Sequence, residues 1–333
     1  MRSPFRRGAV AVAAALAIVY VVWGSTYLGI AVAIESLPPL LMAGVRFVVA
    51  GALLYAVALR FGDREGDRPG RRQWLGALVT GGPLFLVGNG GVAWAQQTVP
   101  SGIAALLIAT VPLWIALLDR LFFGRRLSWP AVTGLVLGFG GLALLVLPGG
   151  TGGVELSGAV LLVLAALGWA VGSLLTGRAP LPERLLVTAG MQMLVGGALL
   201  VVAGALAGEL GDVHPEAFTG RSLVALLYLI LFGSLLAFSA YAWLLRSTRT
   251  SLVATYAYVN PVVAVALGSA VLDEAITART LAGGAVILAA VALIVSAPVR
   301  RPAPQPRGPR QATEPTRARN AGRSRGAWAT RGK

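Results

Sequence analysis

Arg46 lies in the apolar run Ala43-Gly44-Val45-Arg46-Phe47-Val48-Val49. A charge in hydrocarbon costs at least about 2.5 kcal/mol on insertion scales. Counted from the polar break Ser36-Leu37-Pro38, Arg46 is about eight residues into its helix, roughly 12 Å deep at 1.5 Å per residue. A guanidinium there has two uses. It can pair in bidentate fashion with a carboxylate or other anionic group of a small molecule. It can also bond helix carbonyls or reach outward as a structural anchor. No Asp or Glu stands mid-span to neutralise it, since Glu35, Asp119, Asp273 and Glu274 all fall near span ends.

Other groups recur at helical spacing. Trp23, Thr26 and Tyr27 stand at i, i+3 and i+4, on one helical face. Trp169, Ser173 and Thr176 form a matching stripe. Asn89 and Gln96 share a face, as do Tyr256 and Asn260. With Arg46 and Gln192, these are the expected substrate-binding residues, able to stack against and hydrogen-bond a small amphipathic molecule. Taken singly, the same groups also suit interhelical packing. Pro112 and Pro261 are the expected hinges. Each lacks a donor and frees the carbonyl four residues earlier, at Ile108 and Ala257; the alternative is a static kink.

Several chemistries are excluded. There is no cysteine, one histidine (His214) and one lysine (Lys333). Disulfides, thiol catalysis and Cys-based metal sites are therefore absent, and no internal lysine follows a glycine loop as a Walker A site requires. No convergent acid–base or nucleophile set suggests catalysis, so no catalytic residue, metal or cofactor is expected. The net charge of +15 would suggest nucleic acid in a soluble chain, but its placement argues for topology instead.

The elements that position these residues are membrane spans. The chain is 56% hydrophobic and 12% charged, where a soluble domain carries about a quarter charged residues. A bilayer core takes roughly 20 apolar helical residues. Ten stretches qualify: 10–31, 39–60, 74–96, 101–123, 131–148, 156–176, 185–207, 222–245, 250–272 and 280–297. Of the 28 Arg and Lys residues, 25 fall in alternate segments that include both termini, two (Arg221 and Arg279) fall in the others, and Arg46 is within a span. The positive-inside bias puts both termini in the cytoplasm. The first apolar run exceeds 20 residues and lacks a convincing cleavage site, so it reads as a retained helix rather than a signal peptide.

The spans repeat. Residues 43–54 (AGVRFVVAGALL) and 189–200 (AGMQMLVGGALL) agree at seven of twelve positions, 146 apart. Trp23 pairs with Trp169 at the same separation. At 149, Trp94 pairs with Trp243, Pro112 with Pro261, Leu127-Ser128 with Ile276-Thr277, and Gly134 with Gly283. Spans 1–5 map onto spans 6–10. An odd number of helices inverts the second copy, and inverted repeats suit alternating access. The expected fold is an all-α membrane protein of ten transmembrane helices in two inverted five-helix repeats. The first repeat covers 10–148 and the second 156–297, with a cytoplasmic N-terminus 1–9 and a disordered basic tail 298–333.

Trp23-Gly24-Ser25-Thr26-Tyr27, Ala43-Gly44-Val45-Arg46-Phe47, Val99-Pro100-Ser101-Gly102-Ile103-Ala104-Ala105 and Ala257-Tyr258-Val259-Asn260-Pro261-Val262 resemble the EamA-type drug/metabolite transporters, and within them the YedA-type exporters. The resemblance covers about residues 10–297 and implies ten helices around a central cavity, with helices 5 and 10 peripheral. One departure stands out. The family often carries an acid in a Gly-Glu-Arg-Leu-like turn after span 4; this chain has Gly124-Arg125-Arg126-Leu127, and only the second copy keeps acids, at Asp273-Glu274.

The reading is a multi-pass plasma-membrane carrier exporting small metabolites, such as amino acids, or drug-like amphiphiles by alternating access. An importer or exchanger of the same architecture remains open, as does a non-transporting membrane scaffold or sensor. With no central carboxylate, a gradient-driven facilitator or exchanger is favoured over a carboxylate-relay antiporter, although Glu35 or Glu274 could titrate in a wet vestibule. Expected partners are the small-molecule substrate, the bilayer, and anionic lipid at the Arg-rich tail, with no nucleic acid. Small-residue pairs such as Gly134/Gly138 and Gly204/Gly208 permit close helix contacts and leave a homodimer through span 5 or 10 open.

Overall fold

In lipid, a backbone amide without a partner costs several kcal/mol, so a spanning chain is driven into helices or closed barrels. The structure, a computed structural model, describes residues 4–60, 69–124, 127–146 and 155–296, the side chains of 4–9 and 250–251 excepted. The expected tail 298–333 and the Arg125-Arg126 turn lie outside the described residues. Every regular element among those described is helical.

The order is α1 (Pro4–Ala33), α2 (Pro39–Arg60), α3 (Arg71–Ala95), α4 (Ser101–Phe123), α5 (Trp129–Val146), α6 (Leu156–Thr176), α7 (Leu185–Leu206), α8 (Gly220–Ser247), α9 (Tyr256–Leu272) and α10 (Ala278–Ser296). Among the described residues, nine are long and apolar enough to cross a bilayer, and α9 is a shorter apolar helix. The expected span 250–272 is split: a single turn, Thr250–Val253, precedes α9. Prolines open helices where no donor is needed, with Pro39 starting α2 and Pro100 preceding α4. Left-handed residues close them: Gly124 (φ 66°) after α4 and Asp273 (φ 53°) after α9.

Two spans are not uniform α-helix. Residues Gly82–Asn89 of α3 and Leu229–Leu236 of α8 are π-helical. The two segments are equal in length and start 147 residues apart, so the duplication reaches local geometry that hydropathy does not register. Single-turn π segments cluster at functional sites.

The prolines behave differently from one another. In α4 the helix breaks at Ala109-Thr110, and Pro112 is the second residue of the restarted helix. In α9 the break lies at Ala254-Thr255, and Pro261 sits inside continuous helix.

Helix α2 packs chiefly on α7, and α5 on α10; α1 lies against α8 and α9, and α6 against α3 and α4. The α2–α7 seam is closed by glycines one heptad apart on each side, Gly44 and Gly51 against Gly190 and Gly197. A Cβ on Gly51 would lie 2.7 Å from the Leu194 nitrogen and 3.0 Å from the Gly190 carbonyl. The backbones thus touch directly, as small-xxx-small contacts allow in membranes. Gly134 and Gly141 of α5 likewise lie against α10, where their Cβ atoms would meet the Ala290 and Gly283 carbonyls. Those small residues of span 5 serve packing within the chain.

Replacing Gly51 by Ala forces two backbones apart and should destabilise the protein by about 1–3 kcal/mol, the usual cost of overpacking. Gly140 has nothing within 4 Å of its Cβ position, so Gly140→Ala should be neutral or stabilising by up to about 1 kcal/mol. Thermal denaturation of both variants in detergent checks the contrast.

Candidate functional site

The π segment of α8 is where the polar groups of the first helices meet. Arg46 of α2 is 5% exposed, and its Nε donates to Ser234 Oγ at 3.0 Å. Its guanidinium carbon stands 4.6 Å from the centroid of the Phe47 ring. Among the described residues no carboxylate pairs with it, and its Nη groups make no protein hydrogen bond. Trp23 of α1 donates from Nε1 to the carbonyl of Gly233 at 3.1 Å. A Cβ on Gly233 would lie 3.1 Å from Arg46 Nη2 and 3.0 Å from Thr26 Cγ2. Gly233 thus lets the indole, the threonine and the guanidinium converge on one turn.

Trp23 is also the centre of an aromatic cluster. Phe238, Tyr241 and Tyr256 each place a ring centroid 5.2 Å from it, and Tyr241 and Tyr256 meet edge to face at 5.8 Å. Such pairs contribute about 0.5–1.5 kcal/mol beyond area burial. Polar bonds frame the cluster. The Tyr20 hydroxyl bonds Thr255 Oγ1, and Ser25 Oγ bonds the Tyr228 hydroxyl at 2.6 Å. The Asn260 amide, oriented to donate, reaches the Tyr256 and Tyr20 carbonyls at 3.2 Å each. Gly24 lets α9 approach α1 here, its Cβ position lying 3.0 Å from the Asn260 carbonyl.

A second, smaller cluster lies on the other half of the repeat. Gln192 of α7 is 6% exposed, and its Nε2 donates to Thr80 Oγ1 at 2.8 Å and Thr176 Oγ1 at 3.0 Å. The Trp169 indole covers Gly88 of the α3 π segment so closely that no Cβ would fit. In each half a tryptophan thus meets a glycine of a π segment from the other half, Trp23 by a hydrogen bond to the Gly233 carbonyl and Trp169 by ring contact with Gly88.

The structure thus brings Trp23, Thr26, Arg46, Tyr256 and Asn260 into one neighbourhood, and Trp169 and Gln192 into a second. Tyr27 is half-buried and packs against the main apolar core. Asn89 is taken up by its own backbone, donating to the Leu84 carbonyl at 3.0 Å. Gln96 is buried at the end of α3 with its amide unpartnered. Ser173 is exposed. Sequence spacing misses Gly233, Ser234, Phe238 and Tyr241; the Gly233-Ser234 pair within a long span is the available signal, since such pairs mark kinks.

Three of the four carboxylates near span ends are engaged. Glu35 pairs with Arg221 at 3.4 Å, and Asp119 with Arg178 at 3.4 Å, whose guanidinium lies 3.5 Å over the Phe123 ring. Glu274 accepts two backbone N–H groups, from Ser101 at 2.6 Å and Gly102 at 3.0 Å. No group of three or more His, Cys, Asp or Glu residues that could hold a metal occurs among the described residues.

Comparison with known proteins agrees with this architecture. The model of the EamA-like transporter family matches residues 10–147 and again 156–296. The uncharacterized inner membrane transporter YedA of Escherichia coli (strain K12) is 41% identical over 281 residues, covering 83% of this chain and 88% of that protein. A probable amino-acid metabolite efflux pump of Salmonella typhimurium is 27% identical over 287 residues, covering 82% and 90%. A solved crystal structure, 22% identical, superposes with a TM-score of 0.58 over 89% of this chain and 99% of that one, which shows the shared fold. With the family matched across both halves and a 41% identical relative along most of its length, the chain belongs to the EamA-like transporter family and is a multi-pass membrane transporter.

Proposed function

We propose that the chain exports small carboxylate-bearing metabolites, amino acids among them, or related amphiphiles by alternating access. The observation that carries this reading is Arg46: a buried guanidinium tied by Nε to one neutral hydroxyl, with its Nη edge making no hydrogen bond among the described residues. A substrate carboxylate is the missing counter-charge, and a bidentate pair suits that edge. The Trp23 cluster beside it offers apolar and aromatic faces for the body of the substrate. The efflux-pump relative supports amino acids as a substrate class.

The architecture we propose is ten spans in two inverted repeats, 10–148 and 156–297, with both termini cytoplasmic. It is supported by the paired π segments, by the paired tryptophan–glycine contacts and by the Arg distribution. Thr110 and Pro112 in the broken α4, and the break before α9 with Pro261 beyond it, are the hinge elements of the motion. The basic tail 298–333 contacts anionic lipid on the cytoplasmic side. A homodimer would use lipid-facing surface other than the α5–α10 glycine contact, which the chain itself occupies.

Efflux of labelled amino acids from loaded proteoliposomes, with and without a pH gradient, tests the reading. Arg46→Gln should raise the KM for carboxylate substrates about 10–100-fold, the loss of one charge-assisted interaction worth roughly 1.5–3 kcal/mol. Unchanged efflux of every carboxylate substrate in a well-expressed variant would show that Arg46 is structural.

Ser234→Ala leaves the cation present but unanchored. It should raise KM by about 3–10-fold with little change in kcat, the value of one typical hydrogen bond of about 0.6–1.4 kcal/mol. Ser234→Thr should restore the parental value. A fall in kcat at constant KM would assign Ser234 to the transport motion rather than to the orientation of Arg46.

A further inference from the structure

Two carboxylates from the second half of the chain close helix starts in the first half. After α7, Gly208 adopts a left-handed turn (φ 89°), and Glu209, 4% exposed, follows it. Its two oxygens accept from Leu40 N at 3.0 Å and Leu41 N at 2.8 Å, in the first turn of α2. After α9, left-handed Asp273 makes the same kind of turn, and Glu274 accepts from Ser101 N and Gly102 N in the first turn of α4. The partners are 168 to 173 residues apart in sequence.

Glycine makes room in both places. A Cβ on Gly204 would lie 2.9 Å from Glu209 Oε2, and one on Gly268 would collide with Glu274 Oε2. Neither carboxylate takes part in an ion pair among the described residues. Their charge rests on helix N-terminal amides, where an anion is favoured by the helix dipole.

The aligned positions of the first repeat do not carry the same pair of acids. In the first repeat, Asp63 stands 146 positions before Glu209, and an acid is kept there. The position 149 before Glu274 is Arg125, which has no acceptor for an N–H. At the aligned positions, the second repeat therefore has two acids and the first has one.

We propose that Glu209 and Glu274 form a latch across the outer face, holding the ends of α7 and α9 on the starts of α2 and α4, so that the resting carrier opens to the cytoplasm and loads there. The proposal rests on the repeat and orientation given under Proposed function, but not on the role of Arg46. A cap supplied from the same helix would serve stability alone. These caps tie α7 to α2 and α9 to α4, helices of different repeats, and on this proposal they part when the outer face opens, water then satisfying the four amides. The latch is thus a contact made in one state and exchanged for water in the other, and the missing acid at Arg125 biases the two states.

The absence of cysteine allows a direct test in liposomes with no substrate present. Ala104 is fully buried on α4, one turn beyond the capped amides. In the Ala104→Cys protein, the rate of labelling by a membrane-impermeant maleimide applied outside reports opening of that face. Glu209→Gln and Glu274→Gln should each raise it about threefold or more, and Arg125→Glu, which adds a clasp at the cytoplasmic face, should raise it in the same direction. Arg125→Glu touches no part of the latch itself, so it is informative even where a Gln variant folds poorly. Unchanged labelling in a monodisperse Gln variant, or labelling lowered or unchanged by Arg125→Glu, overturns the latch. A rise seen only with reagent on the cytoplasmic side supports the latch and overturns the proposed orientation.

Discussion

The need to satisfy every backbone amide without water governs this molecule. It explains why the described structure is wholly helical, and it also explains the exceptions. A π segment frees backbone groups that regular helix would have paired. In α8 the Gly233 carbonyl is taken by the Trp23 indole, and in α3 the Leu84 carbonyl is taken by the Asn89 amide. Helix starts expose donors, and at α2 and α4 these go to Glu209 and Glu274. Helix ends expose acceptors, and Arg184 Nη2 reaches the Ala58 carbonyl near the end of α2 at 2.7 Å. The polar residues of the chain are placed largely where the backbone requires them.

This constraint acts on both halves alike, so the halves share a frame. The chemistry they carry differs. Phe238, Tyr241 and Tyr256 surround Trp23, whereas the residues 149 positions earlier are Asn89, Val92 and Leu107. Arg46 is matched by Gln192, whose Nε2 donates to two threonine hydroxyls. One half therefore has a satisfied, neutral polar contact, and the other has a cation with donors to spare beside an aromatic cluster. Duplication supplied the shared frame. Divergence then gathered the cation and the aromatic cluster around α1, α2, α8 and α9.

Much of this was legible in the sequence because it depends on averages and on separations. Hydropathy locates the spans, and a constant offset of 146 to 149 exposes the repeat. Arg46 stands out because a single charge in an apolar run has no neutral explanation. The parts that were not legible depend on contacts between distant segments or on local departures from α geometry. Ser234 lies in Leu229-Ile230-Leu231-Phe232-Gly233-Ser234-Leu235, where one hydroxyl carries no signal until α2 is seen beside it. Glu274 reads as a free acid near a span end, because its partners are at a helix start more than 170 residues earlier. Asn89 and Gln96 share a helical face by spacing, yet Asn89 bonds its own π segment, a local competition that periodicity does not weigh. The two prolines align in sequence but not in structure, since the break in α4 precedes Pro112 by two residues and the break before α9 precedes Pro261 by six.

An uncompensated cation also bears on how such a carrier turns over. Among the described residues the Arg46 charge is held by one hydroxyl and by the face of Phe47, in a setting where charge is costly. A carboxylate at the free Nη edge removes net charge from the membrane interior. On the proposed reading, the helices then close around a neutral pair rather than around a bare guanidinium. The loaded protein meets the smaller electrostatic barrier when it passes between faces, because the desolvation of an ion pair is partly offset by its own attraction. On that reading, a binding site with one such charge favours movement with an anionic cargo over movement without it, and exchange of one anion for another would need no second, titrating carboxylate at mid-membrane to link binding to motion.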